Sequence, residues 1–217
     1  SWRLMGALIM THGDDKGLIL PPKIAPIQIV IIPIYYDDAK KNEILTVIAD
    51  IVEKLDSKGI RSYVDSSEQH TPGWKFNQWE MKGVPIRIEI GPKDLDTNSL
   101  VIVKRNSRDK KSISINQNPV DQIVKELDVI QDELFEIAKS KHNDMISKSA
   151  NYKELCERLN NERGFVKVDW CGNRDCEDKV KDETGADIRL IEDENVNSVC
   201  IVCEKIATNS VYFAKSY

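Results

Sequence analysis

The run Ile27-Gln28-Ile29-Val30-Ile31-Ile32-Pro33-Ile34 is β-branched and apolar almost throughout, and no other stretch constrains the fold as much. A strand wetted on one face alternates apolar and polar residues, whereas one without alternation must be covered on both faces. The next segment supplies a cover. Ile44, Val47, Ile48, Ile51, Val52 and Leu55 fall at offsets 0, 3, 4, 7, 8 and 11, one face of an α-helix, and Gly59 ends it. The alternation then repeats: a strand over 60–65, a short helix over 72–83, strands over 85–90 and 100–104, and a return through Ser107-Arg108-Asp109 into a strand over 112–115. Strands alternating with helices before a terminal hairpin predict an α/β sandwich on a mixed sheet.

Asn118-Pro119 opens a long helix, because Asn is a good cap and Pro suits the first turn. Val120, Ile123, Val124, Leu127, Ile130, Leu134 and Ile137 keep helical spacing. The polar stretch 139–150 can end that helix and lead to a smaller α+β unit over 151–217. At the other end, Ser1 to Met10 opens in mid-pattern and the first residue is not Met, so the chain reads as a fragment. Residues 12–26 carry Gly13, Gly17, Pro21, Pro22 and Pro26, which punctuate structure, and read as a linker between two folded units. The longest apolar candidate, 24–36, is broken by Pro26, Gln28 and Pro33 and is too short to span a membrane. No basic n-region precedes a cleavage site, so a cytoplasmic location with no membrane partner is expected.

The chemistry-bearing signals are few. Cys171-x4-Cys176 and Cys200-x2-Cys203 account for four of the five cysteines, and two close pairs can supply the four thiolates of a tetrahedral zinc site. A filled site of that kind has no open position, so zinc would hold the fold and do no chemistry. Cys156, at helical spacing from Tyr152 and Leu159, reads as a small buried hydrophobe.

The chain has 31 Lys+Arg against 36 Asp+Glu, a formal net charge of −5, which excludes a histone-like polycation. Yet Arg87, Lys93, Lys104, Arg105, Arg108, Lys110 and Lys111 outnumber Glu89, Asp94, Asp96 and Asp109 over 85–111. Composition alone favours a solvated strand edge guarded by lysines over a nucleic-acid face. Within it, a carboxylate at a helix end (Glu80) and a guanidinium on the next strand (Arg87) can jointly read a guanine edge on an unstacked base, although such pairs are more often structural ion pairs. There is no Gly-rich phosphate loop, and His12, His70 and His142 are too scattered to argue a hydrolase triad. Asp14-Asp15 could hold a divalent cation, but the run 13–17 reads better as a turn.

Taken together, the segment from Arg3 through Gly6-Ala7-Leu8-Ile9-Met10-Thr11-His12-Gly13-Asp14-Asp15-Lys16-Gly17 to Gln28, the block Pro72-Gly73-Trp74-Lys75-Phe76, the block from Glu80 to Pro92, the four cysteines and the terminal Lys215-Ser216-Tyr217 closely resemble prolyl-tRNA synthetase of the archaeal and eukaryotic type. The resemblance covers nearly the whole chain. It implies the end of a class II catalytic domain (its motif 3) over 1–22 and an anticodon-binding domain over 23–117. A connecting helix over 118–150 and a zinc-binding-like C-terminal domain over 151–217 would follow. By that likeness Arg3 contacts the ATP phosphates and Ser1 lies beside the adenine. Proline anticodons end in two guanines, so Glu80 and Arg87 become base readers, Lys93 comes next, and Lys104 or Arg105 touch the RNA backbone. The carboxylate of Tyr217 would lie near the active site.

The resemblance implies a ligase joining proline to its tRNA with ATP and Mg2+, working as a homodimer. Motifs 1 and 2 would lie before Ser1, so this piece by itself is expected to be inactive. A non-catalytic tRNA-binding or regulatory protein built from the same domains is the alternative.

Overall fold

Every residue of strand β1 (Ile29–Pro33) is buried, as its unbroken apolar run demands, and the first sheet grows outward from it. The computed structural model describes residues 2–35, 38–192 and 196–216. They fall into two units, Ser1–Ala138 and Lys139–Tyr217.

In the first unit, helix α1 (Trp2–His12) precedes β1 and buries none of its residues. Helix α2 (Asp38–Ser57) leads from β1 to β2 (Ser62–Val64), and α3 (Pro72–Met81) leads from β2 to β3 (Ile86–Ile90). β1 pairs in parallel with both neighbours, Ile29 lying opposite Ser62 and Ile86. A five-residue helix, α4 (Pro92–Asp96), which the periodicity does not predict, leads to antiparallel β4 (Ser99–Lys104) and β5 (Lys110–Ser114). The sheet order is β2-β1-β3-β4-β5, the mixed sheet expected.

Alternate strand residues point to opposite faces, and both faces are used. Ile29 and Ile31 join Ile44, Ile48, Ile51 and Leu55 of α2, with Val120, Ile123, Leu127, Ile130 and Leu134 of helix α5 (Pro119–Asp144), in one apolar cluster. Val30 and Ile32 join Trp79 of α3 and Val84 in another. Each fully buried Ile or Leu contributes about 1.5–3 kcal/mol of transfer free energy, so β1 anchors the unit from both sides.

Three local expectations change. Asn118 sits at φ +48 and its side-chain amide donates to Asp121, so it is not an extended cap residue accepting from the helix. α5 continues through Asp144 into the polar stretch, and Ile137 near its end is exposed. The stretch expected to be a linker is tied along the first unit: Leu18 N–H donates to the Met81 carbonyl (3.0 Å) and Leu20 N–H to that of Gly83 (3.1 Å), while Pro21, Pro22 and Ala25 are buried. Gly17 makes that approach possible. It sits at φ +131, and a Cβ there would come within 2.5 Å of the Met81 carbonyl oxygen.

The second unit is built from β6 (Ile146–Lys148), α6 (Tyr152–Asn161), β7 (Phe165–Trp170), α7 (Arg174–Thr184), β8 (Ala186–Glu192) and β9 (Asn209–Lys215). Its sheet order is β6-β7-β9-β8, with β6 and β7 parallel and the other pairs antiparallel. Val166, Val168 and Trp170 of β7 alternate into a core with Leu155, Leu159, Val180, Val211 and Phe213. Asn151 and Asn173 cap α6 and α7, accepting from Glu154 N–H and Asp175 N–H, and left-handed Gly185 stops α7. Among the described residues no helix is long and apolar enough to cross a membrane.

Candidate nucleic-acid site and candidate metal centre

Where α3 ends and β3 begins, the first unit holds a cavity of about 210 Å³ with an apolar floor of Val30, Trp79, Val84 and Val103. Its walls are Glu80, Arg87, Lys104, Arg105, Arg108 and Lys110. The cavity is smaller than the roughly 300–1,000 Å³ of a drug-sized site, and one planar group suits it. Four of the five expected RNA contacts line it; Lys93 does not, being exposed on α4.

Each wall residue has a protein partner. Arg87 donates from Nε and Nη2 to Glu89 Oε1 (2.9 and 2.8 Å) and lies 4.3 Å from the centroid of the Phe76 ring. Glu80 Oε1 lies 3.2 Å from Arg108 Nε. Arg105 is buried: it donates to the Glu80 carbonyl (2.8 Å) and holds both oxygens of Asp14 (2.6 and 3.0 Å). Lys104 Nζ lies 2.8 Å from Glu126 Oε2. Lys104 and Arg105, expected at the RNA backbone, are thus paired with carboxylates, as Arg87 is with Glu89.

Hydrogen bonding from Arg105 holds the Asp14 carboxyl well below the usual carboxylate range against the opposing effect of burial, with help from Lys16 N–H and Arg108. Burial alone would raise Glu126, but its bonds to Lys104 and Lys111 lower it. Asp14 closes a turn, exchanging backbone hydrogen bonds with Gly17. With two guanidiniums on its carboxylate it is no cation site. The network Asp14–Arg105–Arg108–Glu80 was not legible as such, since its first pair is separated by 91 residues. The sequence signals for Arg108 were its place in the hairpin return and its membership of the basic run over 85–111.

The expected ATP contact Arg3 is exposed on α1. Ser1 and Tyr217 lie outside the described residues.

In the second unit the four cysteines converge: the Sγ atoms of Cys171, Cys176, Cys200 and Cys203 all lie within 4.8 Å of one another. Cys171–Cys176 and Cys171–Cys203 are 3.7 and 3.6 Å apart. A tetrahedron with Zn–S bonds of about 2.3 Å has edges of about 3.8 Å, so the donor set fits one zinc ion. Cys171 follows β7 and Cys176 lies in the first turn of α7. Cys200 and Cys203 lie on a tight turn in which Glu204 N–H donates to the Cys200 carbonyl (2.9 Å) and Glu204 adopts φ +61. Burial pushes the Cys171 and Cys176 thiols up, whereas the backbone N–H of Lys205 brings Cys203 down to about 7. The cluster could hold a metal. Cys156 stands apart on α6, half-buried with Sγ 3.8 Å from Glu183 Oε2, which is more polar than a buried hydrophobe.

Two families match. Residues 28–126 match the anticodon binding domain, and residues 152–217 match the C-terminal region of prolyl-tRNA synthetase. The chain corresponds to the C-terminal portion of a prolyl-tRNA synthetase. Proline–tRNA ligase 2 of Clostridioides difficile strain 630 and proline–tRNA ligase of Cenarchaeum symbiosum are each 44% identical over all of this chain, which covers 45% of either relative. The chain thus spans about half the length of the curated synthetases it matches. A crystal structure of prolyl-tRNA synthetase from Cryptosporidium parvum, complexed with L-proline and AMP, superposes with a TM-score of 0.88 at 34% identity, over 99% of this chain and 46% of that one. A second from the same organism, complexed with halofuginone and AMPPNP, gives 0.89. The mixed-sheet unit carrying the cavity is therefore the anticodon-binding domain, and the cysteine-bearing unit is the synthetase C-terminal domain.

Proposed function

We propose that this chain selects proline tRNA for a complete cytoplasmic proline–tRNA ligase. The observation that carries the reading is the cavity of about 210 Å³ in the anticodon-binding domain, where a carboxylate and a guanidinium share one apolar-floored recess. Glu80 would accept from N1 and N2 of an anticodon guanine, and Arg87, its plane held against Phe76, would donate to O6 and N7. Lys93, exposed nearby in sequence, would meet the RNA outside the cavity. Lys104 or Arg105 would touch the RNA backbone from the wall of the cavity.

In the complete enzyme, Arg3 would bind the ATP phosphates, where a fixed planar cation can stabilise charge as the proline carboxylate attacks. Ser1 would sit by the adenine and the Tyr217 carboxylate near the active site. Mg2+, proline and a homodimeric catalytic region would come with the part that precedes this chain in its relatives. Cys171, Cys176, Cys200 and Cys203 would hold one structural Zn2+, closed to substrate.

The test is a titration of the chain with proline tRNA beside a variant in which both anticodon guanines are replaced. Each base should contribute about 1–3 kcal/mol of discrimination. Equal affinity for the two RNAs would leave only phosphate attraction and defeat the reading.

A further inference from the structure

We infer that Arg108 is a positioning residue for base recognition, aiming the Glu80 carboxylate while Asp14 holds Arg108 in place. The inference rests on the proposed guanine reading of the cavity and adds to it a residue that touches no reading edge itself.

The backbone is the first observation. Arg108 adopts φ +64 on the turn joining β4 to β5, where its N–H donates to the Lys104 carbonyl (3.1 Å). A left-handed conformation disfavours a residue with a Cβ and suits glycine, and it persists where the surroundings over-determine it. Here the side chain supplies that reason.

Its guanidinium bridges two carboxylates from distant segments, with Nη2 to Asp14 Oδ2 at 3.0 Å and Nε to Glu80 Oε1 at 3.2 Å. Asp14 is itself clamped by Arg105, which also donates to the backbone carbonyl of Glu80. One network therefore holds Glu80 at both ends, carbonyl and carboxylate. A carboxylate has about four acceptor sites on two oxygens, so Glu80 can keep Arg108 while adding two base N–H groups. Only an oriented carboxylate can meet N1–H and the N2 amino group together. A planar fork can serve two carboxylates at once, and an ammonium on a flexible stem cannot reproduce that geometry.

The competing role is a plain phosphate contact, since Arg108 is half exposed. The experiment separates the two by measuring binding of proline tRNA and of the same RNA with inosine in place of each anticodon guanine. Inosine lacks only the N2 amino group, so it reports on the Glu80 side of the base. The parent chain should prefer guanine by about tenfold, the size of one hydrogen bond to a charged group. Arg108→Lys keeps the cation, so its salt dependence should match the parent while its preference falls to within about threefold of unity. Arg108→Gly relieves the left-handed backbone and should stay folded. It should lose the preference too, with a log–log salt slope shallower by about 0.7–0.9 if a phosphate is also touched.

Retention of the parent's preference by both variants, even with weaker binding to every RNA, would reduce Arg108 to a phosphate contact and overturn the inference. A parent that separates guanine from adenine but not from inosine would overturn it as well, leaving a reader of O6 and N7. A parent blind to replacement of both guanines would instead bring down the underlying reading of the cavity.

Discussion

The two units solve the problem of stability differently. Among the described residues, the first gathers seventeen buried side chains, all Ile, Leu or Val, from one sheet face, α2 and α5 into a single cluster. The second gathers eleven, and two of them are Cys176 and Cys200. Below roughly 70–80 residues a single core seldom supplies more than about 3–5 kcal/mol, and small domains add a staple. The second unit lies near that limit and carries a four-thiol cluster; the first carries an aliphatic core and keeps its polar network beside a cavity. With a metal on the four thiols, holding energy would be spread over many equivalent contacts in one unit and concentrated at one point in the other, so damage should propagate differently in each.

The largest effect should come from the concentrated point. Zinc-loaded chain treated with a strong chelator, or carrying Cys200→Ser, should lose the cooperative unfolding transition of the second unit, since structural zinc contributes about 10–16 kcal/mol of apparent binding free energy in small domains. Circular dichroism of the Trp170 environment would follow it. An unchanged second-unit transition after metal removal would erase the contrast between the units.

Next comes Ile88→Ala, which removes a fully buried side chain from the centre of the first sheet. It should cost about 2–5 kcal/mol, read as a shift of the first unit's denaturant midpoint with the second unit's unmoved. Movement of both midpoints together would show that the two fold as one cooperative body.

The smallest effect concerns Asp14→Asn, which strips a charged partner from buried Arg105 and should cost about 1–3 kcal/mol. The sign with pH follows from the lowered Asp14 carboxyl. Its contribution is complete above the ordinary aspartate value of about 3.9 and is lost as pH falls below it, because the unfolded chain then binds the proton more readily. The first unit of the parent should therefore lose stability more steeply than the variant between about pH 4 and 2. Parallel acid profiles would mean that Asp14 is not what the buried guanidinium depends on.

Much of this was legible beforehand, for reasons tied to range. β1 and α2 were readable because burial stamps a period on the chain within a few residues of itself, and Ile44, Ile48, Ile51 and Leu55 all point where their spacing says. The cysteine cluster was readable because a donor set is a matter of residue type and short spacing. α4 was missed because five residues cannot display a period. Its start depends on Asp94 accepting from Gly91 N–H. The joint placement of Glu80 and Arg87 was suggested by a helix end followed by a strand, and only the family likeness gave it weight, since a Glu and an Arg seven positions apart are more often a structural ion pair.

By itself, the sequence determined the longer helices and most strands of the first unit, the covered sheet, the grouping of four cysteines and the family likeness, because each rests on local periodicity or a motif that survives without coordinates. Tertiary structure alone decided which charges meet. Arg87, Lys104 and Arg105 looked equally open in the sequence, yet the first lies against Glu89, the second against Glu126, and the third is closed around Asp14 from 91 residues away. Charge carries no direction along the chain; its partner is chosen by the fold that brings distant segments within about 3 Å of one another.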